Sequence, residues 1–293
     1  MASQTVEATR TRDPHPRSTA RGPHEDSPAV KWVMRVLVVA YLFFLVAWPT
    51  SLVAKNTFAN GFQGISDALS DPDVVHALKL SAIVAVAAVL INLVFGVGMA
   101  LLLVRFDFPG KRVLNALIDV PLSVSPVVVG LALVLVYNGR YGWFGPWLED
   151  QGLQVVFAKP GMIMATAFVA LPLVIREVVP VLEDMGDDQE QAARSLGANA
   201  WQTFWRITLP GIKWAIVYGV VLCLARSLGE FGAVKVVAGN VGGESTTAPM
   251  LVQQKYQNFQ QETAYSVSFM LAFAAVLCLI VVALLRPKEG DKK

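Results

Sequence analysis

Six apolar segments constrain this chain more than any other feature of its sequence. A bilayer core about 30 Å thick requires about 20 helical residues to cross it. Four segments have that length without a charge, and two shorter ones reach it if flanking charges snorkel or lie inside the protein. The segments are 36–54, 80–104, 120–138, 160–175, 214–225 and 264–285. The sequence therefore predicts an all-α membrane protein with six transmembrane helices.

The composition of the 293 residues agrees with a lipid environment. Apolar residues make up 55% of the chain and charged ones only 16%, far from the average of soluble domains. The net charge of +2 is too small to suggest a nucleic-acid partner. Residues 1–31 are polar and predict a disordered tail. The first apolar residue of segment 36–54 comes too late for a cleaved signal peptide, so we expect that segment to stay in the protein.

The distribution of Lys and Arg predicts the orientation. Cytoplasmic segments of membrane proteins carry an excess of positive charge. If the N-terminus is inside, seventeen of the 24 basic residues lie on the inner side, six lie on the outer side, and Arg226 lies within the membrane. We therefore expect both termini and the long loop 183–210 in the cytoplasm.

The loop 183–210 predicts two short helices joined by a glycine turn. Acidic residues near its start suit a helix N-terminus, where the macrodipole favours negative charge. Three apolar side chains share one helical face, and Gly197 can end the helix in a left-handed conformation. Pro210 then opens the next membrane helix. Physical reasoning alone leaves a second interpretation open, in which two tryptophans anchor an amphipathic hairpin on lipid headgroups.

This loop resembles the EAA loop of ABC importer permeases, which reads Glu-Ala-Ala, three residues, Gly and a downstream Pro. Gln191 stands where the first Ala is expected. In that family the loop docks into a groove on a separate ATPase subunit and transmits its closure to the membrane helices. The resemblance assigns this role to Glu190, Ala192, Ala193, Leu196, Gly197 and Pro210.

Two further stretches, 105–130 and 225–259, resemble the sulfate and molybdate branch of these permeases, and the second is similar to a sulfate permease subunit. Pro121 and Pro126 fall within one membrane segment. Each releases a backbone carbonyl and bends the helix, which is tolerated where protein or a cavity satisfies that carbonyl. A simple packing kink is the alternative explanation.

The resemblance covers about residues 36–286 and implies the type I importer fold. It places a first transmembrane helix at 36–54 and a five-helix ABC transmembrane type-1 domain at 77–286. The tails 1–31 and 287–293 lie outside it, and the chain is expected in the inner membrane.

The candidate residues of the anion path are Arg226, Glu230, Ser245, Thr246 and Thr247. The first two are four residues apart, so they can pair on one helix face and lower the free-energy cost of each charge in the membrane. That pair is either structural or part of the path. The three hydroxyls belong to the glycine-rich outer stretch 238–247, whose donors could hold an oxyanion. The alternative is a flexible loop that only touches a binding protein.

Several motifs are missing from the sequence. It has no Gly-x-x-x-x-Gly-Lys-Ser/Thr loop, so ATP must bind to another chain. No nucleophile and base pair or carboxylate cluster lies within the membrane segments, so we expect a non-catalytic subunit without cofactor or metal. The outer loops carry seven acids against six bases and offer no basic patch to capture an anion.

The resemblance implies three kinds of partner: an ABC ATPase dimer, a second, paralogous permease and an extracytoplasmic sulfate-binding protein. The sequence thus predicts the permease subunit of an ATP-driven sulfate or thiosulfate importer that forms half of the translocation pathway. A molybdate or tungstate permease is the alternative in substrate. An ion-coupled secondary carrier, which needs no ATPase, is the alternative in class, and a membrane enzyme comes third.

Overall fold

The computed structural model describes residues 28–239 and 245–285. These residues form helices and turns, without a strand. In chain order the helices are α1 (Pro28–Leu42), α2 (Trp48–Thr57), α3 (Gln63–Ser70), α4 (Pro72–Arg105), α5 (Lys111–Ser123), α6 (Pro126–Tyr137), α7 (Gly145–Asp150), α8 (Lys159–Met185), α9 (Asp188–Ser195), α10 (Ala200–Thr203), α11 (Leu209–Leu228), α12 (Gly232–Val237), α13 (Ala248–Gln257) and α14 (Gln261–Leu285). The all-α class is confirmed.

The chain divides into two compact units, Met1–Ser51 and Leu52–Lys293. The described part of the first unit is helical, with a π-helical turn at Phe43–Ala47. It belongs to an apolar stretch of 28 residues, Val30–Thr57, whose apolar side chains are not buried in protein. A helix of this length is about 42 Å long and is apolar enough to cross a bilayer. The predicted first transmembrane helix lies within it.

The predicted terminal tails fall mostly outside the description. Residues 1–27 and 286–293 lie outside the described residues, whereas 28–31 already belong to α1. The predicted N-terminal tail is therefore too long by these four residues.

The second unit is built on the long helices α4, α8, α11 and α14. Helix α8 packs on both α4 and α11, and α11 packs on α14. Val174 and Val178 of α8 and Ile212 of α11 lie fully buried in the main core cluster. A Cβ atom on Gly96 would lie 2.9 Å from the Val174 side chain, so this glycine allows α4 to approach α8 closely.

Two spans are longer than the sequence predicts. The segment 160–175 extends through Arg176 to Met185, the end of α8. The guanidinium of Arg176 pairs with Asp119 of α5. The segment 214–225 belongs to the helical stretch Ala200–Leu228, which is continued by a π-helical turn at Phe204–Thr208.

The sequence predicts one helix at 120–138, but the structure divides this segment between two helices. Helices α5 and α6 meet at a bend of 110°. Ser125 is extended there, at φ −58° and ψ 134°, because the ring of Pro126 disfavours a helical residue before it. Pro121, by contrast, lies inside α5 without ending it. The expected proline bend is therefore confirmed at one of the two prolines.

Helices α5 and α6 both pack on α8. Lys111, at the start of α5, and Glu183, near the end of α8, line the same cavity. Asn138, just after α6, lines another cavity with Phe157, just before α8. The 27 residues of α8 span about 40 Å, more than a bilayer core. By length and composition the bent pair is a candidate for the sixth span.

Candidate functional site

The hairpin predicted within 183–210 is present as α9, a glycine turn and α10, and we call it the coupling hairpin after the role that the resemblance implies. Gly197 has a φ of 88°, in the left-handed region. Its N–H donates to the carbonyl of Arg194, and the Ala198 N–H donates to that of Ala193, the two bonds of a Schellman motif. Asn199 and Gln202 then form a capping box that starts α10. The predicted local structure of this loop is confirmed.

The hairpin presents apolar side chains to its surroundings. Leu196 is 90% exposed, and Trp201 and Trp205 are exposed as well. The rings of these two tryptophans contact each other at 5.5 Å between centroids. Leu196 does not share a packed face with the two predicted alanines, because it is the C-cap residue of α9. Ala192 is also exposed, and Pro210 lies in the first turn of α11.

Glu190, the acidic residue of the motif, is buried rather than displayed. Its carboxylate accepts hydrogen bonds from Arg105 Nε at 3.0 Å and Arg105 Nη2 at 3.2 Å. Thr208, just before α11, donates its hydroxyl to Glu190 Oε1 at 2.8 Å. Such a two-pronged guanidinium–carboxylate contact is strong and directional. The side chain thus holds α9 to the membrane helices of its own chain.

Arg105 extends this contact to a fourth helix, α8. Its Nη1 donates to the Leu182 carbonyl at 3.2 Å and its Nη2 to the Gly186 carbonyl at 2.7 Å. These carbonyls lie at the C-terminal end of α8, where a cation is favourable. Arg105, Glu190 and Thr208, which we call the inner clamp, therefore tie the end of α4, the end of α8, α9 and the start of α11 together.

The predicted pair Arg226 and Glu230 also forms. Arg226 Nη1 lies 2.7 Å from Glu230 Oε2, with the Arg side chain 39% exposed and the Glu side chain 2% exposed. The sequence predicts both residues on one helix face. Helix α11 ends at Leu228, however, so Glu230 lies beyond the helix. Its Oε1 accepts the N–H of Ala233 at 3.0 Å, which fixes the start of α12.

The three predicted hydroxyl residues lie below the surface. Ser245, Thr246 and Thr247 are all buried at the entrance to α13. The hydroxyl of Thr247 has no hydrogen-bond partner within the described part of the chain. Residues 240–244, which include two glycines of the predicted outer stretch, lie outside the described residues.

An ion pair joins α13 to the start of α4. Lys255 Nζ donates to Asp71 Oδ2 at 2.7 Å. The Asp71 side chain also accepts the N–H of Asp73 and caps α4. The hydrogen bond from Lys255 is the main cause that holds the pKa of Asp71 below its ordinary value.

Comparison with known proteins identifies the family. Residues 92–287 match the family model described as binding-protein-dependent transport system inner membrane component. The chain belongs to this family. It is 43% identical over 264 residues to a Synechocystis sp. protein named sulfate transport system permease protein CysW, covering 90% of this chain and 95% of that one. It is 31% identical over 260 residues to the CysT protein of the same organism, covering 89% and 90%.

A solved structure agrees with this assignment at the level of the fold. A chain of the bacterial alginate ABC transporter, in complex with an alginate pentasaccharide-bound periplasmic protein, superposes with a TM-score of 0.72 at 17% identity. The match covers 88% of this chain and 92% of that chain. The predicted ABC importer permease fold is therefore confirmed, and this family member is a multi-pass inner-membrane component.

Two members of the inner clamp were missed in the sequence. Arg105 ends an uncharged run of membrane residues, which is a signal for an inner-side charge, but its acidic partner lies 85 positions away. Thr208 carries no signal of its own. Neither local spacing nor periodicity reports such contacts, so only the folded chain reveals the clamp.

Within residues 28–239 and 245–285, no group of three or more His, Cys, Asp and Glu side chains is placed to hold a metal ion.

Proposed function

We propose that this chain is the permease subunit of an ATP-driven importer of sulfate or thiosulfate, and that it forms half of the translocation pathway. The relative with 43% identity is named for sulfate transport. The higher identity to CysW than to CysT of one organism supports a CysW-like role. A CysT-like paralogue is then the second permease.

The observation that carries the proposal is the coupling hairpin. The surface of the hairpin that faces away from the protein offers exposed apolar side chains, including that of Leu196, to a partner. The opposite surface is fixed to α4, α8 and α11 by the inner clamp. A rigid hairpin that is exposed on one side and clamped on the other can transmit a push from an ATPase groove to three membrane helices at once.

This arrangement also favours the importer over an ion-coupled carrier. A carrier needs no docking surface for a nucleotide-binding subunit, and an amphipathic hairpin that rests on lipid needs no buried ion pair. The buried, hydrogen-bonded Glu190 therefore supports a mechanical role for the loop. The partners are an ATPase dimer on the inner side and an extracytoplasmic sulfate-binding protein on the outer side.

We propose that the translocation path runs along the exposed side of the Arg226 guanidinium. A half-exposed guanidinium near the end of a membrane helix does not face lipid chains, so it faces water or protein.

Exchanging Arg226 and Glu230 keeps both charges, but an arginine at position 230 cannot accept the Ala233 N–H. We expect the exchange to restore abundance more than sulfate uptake, relative to Glu230→Gln. Normal uptake by the exchanged protein would make the pair structural.

The experiment for the function compares Glu190→Lys with wild type. The substitution places a cation against Arg105, so we expect the hairpin to detach and sulfate uptake and ATPase co-purification to fall together. Gln191→Ala is the matched control, because it changes an exposed neighbour and completes the Glu-Ala-Ala motif. ATP-independent uptake, or full uptake and ATPase binding by Glu190→Lys at normal abundance, would refute the proposal.

A further inference from the structure

A second ion pair lies just outside the predicted segments 120–138 and 160–175, but well inside helices α5 and α8. Arg176 Nε donates to Asp119 Oδ1 at 2.9 Å, and a second guanidinium nitrogen pairs with the other carboxylate oxygen. Arg176 is nine residues before the end of α8, about 13 Å along the helix. Asp119 is eight residues after the start of α5, about 12 Å from that end. Both charges therefore lie at a similar depth, counted from neighbouring helix ends.

The pair is not enclosed by its own chain. The Arg176 side chain is 49% exposed and that of Asp119 is 37% exposed. Charged groups at this depth do not face hydrocarbon, because each would lose its hydration without full compensation. The open side of the pair therefore faces water or another protein subunit.

A cavity of about 770 Å³ adjoins this open side. Its charged lining consists of Lys111, Arg112, Arg176 and Glu183, with Asn115 as a neutral polar neighbour. Three cations and one carboxylate line it, and two of these cations, Lys111 and Arg176, also pair with carboxylates outside the lining. Lys111 also binds Asp107, at 2.9 Å, whereas Arg112 forms no ion pair with any residue that the structure describes.

The cavity runs from the inner helix ends into the membrane. Glu183 is seven residues beyond Arg176 on the same helix, so the lining covers a depth of about 10 Å. We infer that this cavity binds a small tetrahedral oxyanion at the inner mouth of the pathway, between Arg112 and Arg176. The choice of a sulfate-like dianion rests on the proposed function.

The geometry fits weak binding, which an exit site requires. Arg176 spends two of its donors on Asp119 and keeps others for the anion. The carboxylates of Asp119 and Glu183 oppose tight capture, and the cavity is large enough for the anion to keep much of its water. Binding that is favourable enough for entry and weak enough for release is the condition for passage through a pore.

The test measures thiol labelling in the full-length chain, purified with its associated subunits into lipid nanodiscs without ATP. Cys223 and Cys278 are first replaced by Ala, and Asn115→Cys places a thiol in the cavity. We measure the ratio of the labelling rate of an anionic methanethiosulfonate to that of a cationic one. We expect this ratio to be several-fold higher for the thiol at position 115 than for a free thiol in solution. Millimolar sulfate should slow the anionic reagent.

Leu117→Cys is the matched control. Leu117 is exposed on the same helix but does not line the cavity, so sulfate should not change its labelling. Arg112→Gln should lower the anionic preference at position 115 and weaken protection by sulfate several-fold. The double change Arg176→Gln with Asp119→Asn removes the deep pair without leaving a lone charge, and should do the same.

A lipid phosphate is the other source of this chemistry, and nanodiscs of purely zwitterionic lipid separate the two. Protection by sulfate in such nanodiscs supports the proposal. Protection that appears only with anionic phospholipid, or labelling that neither sulfate nor the arginine substitutions change, overturns it. Labelling does not require transport. If sulfate protects the thiol at position 115 but the wild-type complex takes up no sulfate, the proposed function is refuted and the anion site is still supported.

Discussion

Arg105 concentrates four hydrogen bonds in one side chain at the C-terminal end of α4. Removing one partner of a buried ion pair leaves an uncompensated charge, which typically destabilises a protein by about 3–5 kcal/mol. Replacing both partners by apolar residues is often close to neutral. The pair can therefore be separated into a structural part and a mechanical part.

We expect Arg105→Leu and Glu190→Leu each to lower membrane abundance and the unfolding temperature, and the double variant to recover much of both. Uptake should not recover in the double variant, because the directional link between α9, α4 and α8 is lost. Abundance, thermal unfolding in detergent and sulfate uptake are measured side by side. A double variant that is as unstable as both losses combined would show that the two side chains act independently.

At the scale of helices, the turn at Gly197 can be tested apart from the surface around it. A Cβ atom at this position would meet no atom of the chain within 4 Å, so only its φ of 88° restricts the residue. Asn tolerates the left-handed region better than Ala but is larger. The two substitutions therefore separate conformation from space for a partner.

If the ATPase groove closes tightly over the turn, Gly197→Asn should reduce ATPase co-purification and uptake more than Gly197→Ala does. The proposed docking predicts this order. The reverse order would mean that only the shape of the hairpin matters, and equal, normal uptake for both would remove the turn from the interface. Gly152→Asn, at an exposed glycine with a φ of 77° that lies away from the hairpin, is the control.

The contact between α4 and α13 gives a prediction for acid stability. The lowered pKa of Asp71 means that its pair with Lys255 stabilises the fold above the unfolded-state pKa, about 3.9. This contribution is lost as the pH falls through the lower folded-state pKa. Asp71→Asn keeps the cap but removes the charge. Its unfolding temperature in detergent should lie below that of wild type near neutral pH and approach it in acid. A constant difference across pH would contradict this.

What the sequence could predict at this scale depended on locality. Apolar length located five candidate spans and the bent pair, and the glycine turn at 197 followed from a motif contained in a few residues. The angle between α5 and α6 could not be read, because Pro121 and Pro126 look alike in sequence and only one ends a helix. The partners of Arg105 and Arg176 are 85 and 57 positions away, and no periodicity encodes such distances.

For the whole molecule, the bent pair of α5 and α6 decides which side every later segment faces. If the pair crosses the membrane, the segment around Gly152 is outside and the hairpin is inside. If it re-enters on one side, the segment is inside and the hairpin is outside, away from any ATPase. The excess of basic residues on the inner side favours the crossing.

Reporters that are active only in the cytosol can test this parity when they are fused after Phe108, Gly152 or Gly186 in successive truncations. We expect activity after Phe108, no activity after Gly152 and activity again after Gly186, since the distribution of basic residues predicts that the pair crosses. A fusion at Lys293 should be active as well. Activity at both Phe108 and Gly152 would mean that the pair does not cross. The hairpin would then lie on the side of the membrane opposite the ATPase. The importer proposal would be refuted even if the contacts of the inner clamp are present.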